Sequence, residues 1–125
     1  MRQKEPPTLQ SIRSRKEARR RQLDEGLAKV REQLQSMGAL KIILFGSYAT
    51  DHLTSRSDLD LICIMPPEKT GRQWMKKIYE EVERHVDCDI LAYTRDELEK
   101  AMPVSRFLRR ILEQGKTIYE KRPER

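Results

Sequence analysis

Aromatic side chains are scarce in this chain: one Trp, four Tyr and two Phe, 6% of 125 residues. None lies between Arg13 and Arg21, so base stacking within that basic stretch is not supported. Long apolar runs are missing, and without about 18 consecutive apolar residues a transmembrane helix is excluded. The N-terminus has no apolar signal region, which argues against secretion. Cysteine is limited to Cys63 and Cys88, with no CxxC pattern. Both stand in apolar runs and read as core residues of a protein in a reducing, cytoplasmic compartment. His52 and His85 have no ligand-like spacing with them, which argues against a zinc site. Internal repeats and low-complexity linkers are also absent.

What is present is charge. Charged residues make up 37% of the chain and hydrophobic residues another 37%, enough for one modest core under a heavily charged surface. The net charge of +6 is uneven. Residues 1–21 hold eight Lys/Arg and two acids, whereas residues 22–125 hold eighteen of each. The basic character therefore belongs to an N-terminal arm, residues 1–22. Within it, six of the nine residues from Arg13 to Arg21 are basic. Such a run is either a solvated helical extension or a contact for phosphate backbone or an acidic partner.

Beyond the Pro6-Pro7 segment the pattern predicts a helix from about Leu9 to Met37. Leu23, Leu27, Val30, Leu34 and Met37 form its apolar stripe, and Gly38 ends it. Lys41 to Phe45 reads as a strand. Gly46-Ser47 then turns into a short helix to about Leu53, followed by a polar loop from Thr54 to Ser57. A second strand runs from Asp58 to Met65, ended by Pro66-Pro67. Thr70 with Gln73 forms a capping box for a helix to about His85, with Trp74, Ile78 and Val82 as core residues on one face. Val86 to Tyr93 is a third strand. Thr94 with Glu97 is a second capping box, opening a helix to Met102. Ser105 caps a last helix with Phe107, Leu108, Ile111 and Leu112 inward. Gly115 closes it, before a short strand from Thr117 to Tyr119. This alternation predicts an α/β domain over residues 23–120, with 121–125 as a tail.

Three places carry candidate chemistry. Gly46-Ser47 stands where a strand turns into a helix. A glycine there admits a ligand close to the backbone, and the helix aims free N–H groups at phosphate. Taken alone, the pair is also an ordinary turn. Ten residues separate Ser47 from Asp58-Leu59-Asp60. Residues i and i+2 of a strand share a face, so the two carboxylates converge. Taken alone, they are also a polar strand edge. Asp87 and Asp89 stand on one face of the third strand, and parity does not choose between them.

Together, the run from Leu44 to Leu61 and the later strand-borne Asp resemble the signature of the DNA polymerase β-like nucleotidyltransferases, in particular their minimal single-domain members. The resemblance implies a small mixed β-sheet covered mainly on one side by helices. It favours Asp89, which precedes an apolar run, as the third carboxylate. It implies catalytic and metal-binding roles for Asp58, Asp60 and Asp89, holding two Mg²⁺ ions, and a nucleotide-binding role for Gly46, Ser47 and Ser57. The reaction implied is transfer of a nucleoside monophosphate, AMP from ATP, to a hydroxyl acceptor with release of pyrophosphate. The chain has too few residues for the helical acceptor-binding domain of larger relatives, so acceptor choice is expected to come from a partner or a second copy. By resemblance, that partner is a HEPN-type helical protein, and this chain is its antitoxin. A different class of reading is a binding module that neutralises a partner by docking alone; a third is an accessory protein that binds nucleic acid through the arm. One departure stands out. Minimal members often carry Arg-Gly where this chain has Thr50-Asp51, so a phosphate-facing arginine is missing there. Arg56 is either its substitute or a solvated side chain.

Overall fold

The computed structural model describes residues 9–46 and 59–122. In chain order they form α1 (Leu9–Ser36), β1 (Lys41–Phe45), β2 (Leu59–Met65), α2 (Gly71–Glu81), β3 (Cys88–Thr94), α3 (Arg95–Ala101), α4 (Arg106–Gln114) and β4 (Lys116–Glu120). The strands make one sheet in the order β3-β2-β1-β4. β1 is antiparallel to β2 and β4, and β2 is parallel to β3. A parallel pair needs a crossover, and α2 supplies it. This is the small mixed sheet with helices that the resemblance implies, with α1 and α2 on one face and α3 and α4 on part of the other. Among the described residues, no helix is long and apolar enough to cross a membrane.

Strand alternation divides the core in two. Ile42, Leu44, Leu61, Cys63, Met65, Ile90 and Ala92 point to one face, where the stripe of α1 and Trp74 and Ile78 of α2 cover them. This is the larger core. Trp74 is buried in it, and its indole N–H donates to the Pro66 carbonyl at 2.8 Å. Cys63 and Cys88 are free and buried there too, and burial pushes the Cys63 thiol well above its ordinary pKa. Both are core residues, as their apolar settings imply. On the other face, Ile43, Ile62 and Ile64 meet Leu98 of α3 and Leu108 and Ile111 of α4.

Both predicted capping boxes form. Thr70 caps α2 with Gln73, and Thr94 caps α3 with Glu97. Ser105 caps α4 by accepting from the Leu108 N–H at 3.2 Å. The Glu97 carboxylate also ties the two helix starts together. It accepts from the backbone N–H of Thr94 and of Gly71, each at 2.9 Å. Those bonds, the Thr94 one foremost, hold its pKa below the ordinary value of 4.5.

α2 stops at Glu81, short of His85, with Val82 extended. Gln33 of α1 gives the physical reason. Its side-chain amide donates to the Glu83 carbonyl and accepts from the Glu83 N–H, both at 2.8 Å. That amide satisfies the backbone as a neighbouring strand would, and removes the need for another helical turn. The expected short helix after Gly46 and the loop from Thr54 to Ser57 lie outside the described residues.

Candidate functional site

The sheet register builds the site. Phe45 of β1 lies opposite Asp60 of β2, and Asp60 lies opposite Asp89 of β3. Register partners share a face, so these three side chains form one row. The next row on that face is Ile43, Ile62 and Leu91. α4 covers this second row with Leu108 and Ile111. At the row of carboxylates, Asp60 is half-buried and Asp89 is exposed. Like charges directly opposite each other in a sheet are destabilising. A cation held between them would offset that cost.

Gly46 completes this corner. Its φ is +84°, a conformation that side-chain-bearing residues rarely adopt. A Cβ at this position would collide with the Asp60 carboxylate oxygen Oδ2 and lie 3.3 Å from Asp60 Cγ. Glycine thus lets the chain leave β1 in contact with the Asp60 carboxylate.

Of the residues singled out from the sequence, the register brings Gly46, Asp60 and Asp89 together. Ser47, Ser57 and Asp58 lie outside the described residues, as do Thr50, Asp51 and Arg56. Asp87 precedes β3 and is exposed, and its carbonyl accepts from the Leu59 N–H at 3.1 Å. The register therefore sets Asp89, and not Asp87, opposite Asp60.

The donor set fits Mg²⁺. That ion takes hard oxygen ligands, commonly one or two carboxylates completed by substrate phosphates and water. Asp60 and Asp89 are two such carboxylates on one open face. No cluster of three or more His, Cys, Asp or Glu that could hold a metal occurs among the described residues. Phosphate oxygens and water would complete the shell.

Two surrounding features escape sequence reading. A cleft of about 720 Å³ lies beside Asp89, lined by Arg19, Tyr79, Arg84, His85 and Asp87 among others. Arg84 stands over the Tyr79 ring at 4.4 Å and donates to the Cys88 carbonyl at 3.2 Å. No motif announces this pairing. The second feature corrects an expectation. Phe107 does not point inward with Leu108 and Ile111 but is 56% exposed. Its ring meets Phe45 edge to face, with centroids 6.1 Å apart at 86°. Beside this pair lies a recess of about 240 Å³, lined by Phe45, Gly46, Phe107, Arg110, Ile111 and Gln114. The α4 stripe is narrower than the sequence suggests because the cover ends at the carboxylate row.

Similarity to known proteins agrees with this geometry. A solved structure of a candidate nucleotidyltransferase from Sulfolobus solfataricus superposes with a TM-score of 0.58, at 18% identity, over 86% of this chain and 88% of that one. At that identity the likeness shows the fold. No curated protein sequence matches. The nucleotidyltransferase domain family matches residues 27–119, a span that contains all three predicted carboxylates and the Gly46-Ser47 turn. A match over this much of the chain is decisive: the protein belongs to the nucleotidyltransferase domain family.

Proposed function

We propose that this domain transfers AMP from ATP to a hydroxyl group on a partner protein. The observation that carries the reading is the opposed pair Asp60 and Asp89, set against the left-handed turn at Gly46. In this reading the acceptor oxygen attacks the α-phosphorus. A new O–P bond forms, the bond from the α-phosphorus to the bridging oxygen breaks, and pyrophosphate leaves with the bond electrons. The hydroxyl proton passes to the Asp89 carboxylate, which is exposed and so open to an acceptor. Gly46 keeps the turn free of a side chain, which leaves room for a phosphate beside the Asp60 carboxylate. Mg²⁺ held by Asp58, Asp60 and Asp89 would neutralise the triphosphate and make the acceptor hydroxyl more acidic.

The acceptor reading draws on the resemblance to minimal superfamily members. The partner is a helical HEPN-type protein, and modification neutralises it. The test is transfer of label from α-labelled ATP with Mg²⁺, using this protein with whatever co-purifies. Label on a protein, lost in Asp58→Ala/Asp60→Ala, is expected. Label on a small molecule instead would overturn the partner assignment. No label, with a partner complex kept in both versions, would replace transfer with docking.

A further inference from the structure

The recess beside Gly46 has a chemistry different from that of the carboxylates. Its walls are mostly aromatic and aliphatic: Phe45, Phe107 and Ile111. The two polar side chains are Arg110 and Gln114. On α4, Phe107, Arg110 and Gln114 follow at i, i+3 and i+7, so one helix face presents a ring, a guanidinium and an amide side by side. At about 240 Å³ the recess is below the range of pockets that enclose a whole drug-sized ligand. It suits one flat ring system. A triphosphate would lose its hydration against these walls, with Arg110 as the sole cation among the lining residues.

Gly46 is the wall shared with the catalytic corner. On one side it borders the recess, and on the other it touches the Asp60 carboxylate. A ligand that fills both places must join a flat, weakly polar group to a metal-binding polyanion across the width of one backbone turn. A nucleoside triphosphate has that construction.

We infer that the recess of Phe45, Gly46, Phe107, Arg110 and Gln114 receives the nucleobase of the incoming nucleoside triphosphate; this rests on the transfer reading above. Phe107 supplies the stacking face and turns from the edge of Phe45 toward the base. Arg110, the cation of the lining, would meet the ribose. The Gln114 amide, with donors and an acceptor, reads the edge of the base. An exposed phenylalanine on a catalytic rim then has a function that core packing does not give it.

The test separates base from phosphate and binding from transfer. Calorimetric titrations would use the α,β-methylene analogue of ATP and, separately, inorganic tripolyphosphate, both with Mg²⁺. The analogue keeps the base but cannot be cleaved between its α- and β-phosphorus. The wild-type protein is expected to bind the analogue more tightly than tripolyphosphate. Phe107→Ala should weaken the analogue about tenfold and leave tripolyphosphate unchanged, as loss of one stacking partner predicts. Phe107→Trp should keep the affinity, and Arg110→Ala should repeat the direction on a side chain that the fold does not need. Equal affinity of both probes for the wild type would overturn the inference. So would unchanged analogue binding in Phe107→Ala and Arg110→Ala, or loss of both probes together. If base-dependent binding holds while no label is ever transferred, the recess stands and the transfer reading falls. If label is transferred with the same KM by wild type and Phe107→Ala, the reverse is true.

Discussion

The two ends of the parallel pair β2/β3 handle carboxylates in opposite ways. Where these strands finish, at Met65 and Thr94, the Glu97 carboxylate is engaged by two backbone N–H donors and joins two helix caps. Where they start, Asp60 and Asp89 face each other across the sheet, next to a turn that only glycine accommodates easily. One end spends its acid on architecture. The other sets two acids side by side on an open face, an arrangement that suits a hard cation.

The largest expected effect is at Asp60. Asp60→Ala should lower AMP transfer more than about a hundredfold, since even outer partners of metal ligands cost 10–100-fold. Circular dichroism should show the fold retained. Gly46→Ala sharpens the same corner without removing an acid. Its Cβ meets the Asp60 carboxylate, so transfer should fall about a hundredfold through misplacement. Some stability should go with it, because alanine must adopt a φ of +84°.

Asp89→Asn tests the pair from its other side. Transfer should collapse, with circular dichroism showing the fold retained. Asp87→Asn should keep most of the activity. If Asp87 proves the sensitive position and Asp89 the silent one, the register argument fails.

At the other end, Glu97→Ala should cost about 1 kcal/mol, the usual worth of a helix cap, with transfer unchanged in labelled-ATP assays. The pH dependence has a definite sign. The folded-state pKa of Glu97 is lowered, so its contribution is complete above the ordinary 4.5 and is lost as pH falls through the lowered value. The stability gap between wild type and Glu97→Ala should therefore narrow in acid and stay constant above about pH 5.

Much of this was legible in local chemistry. The caps at Thr70, Thr94 and Ser105 depend on residues three apart, and all three form. The Leu23 to Leu34 stripe and the apolar strands likewise carry their own periodicity. That Asp89 and not Asp87 lies opposite Asp60 was not legible by parity, because register depends on where a partner strand begins. The early end of α2 was hidden too. It depends on Gln33, fifty residues upstream of the Glu83 backbone that it satisfies. Phe107 misled because a helical stripe records which side chains are apolar and not how far the sheet beneath extends.

α1 deserves a last measure of length. Its 28 residues span about 42 Å, whereas a seven-residue strand spans about 23 Å. The apolar stripe begins at Leu23, so roughly the first half of the helix outruns the sheet. Arg19 lines the cleft beside Asp89, which shows at which end the overhang departs. The basic turns thus stand like a mast at the same end of the sheet as the opposed acids. A macromolecule that gripped the mast would be held near the opposed carboxylates.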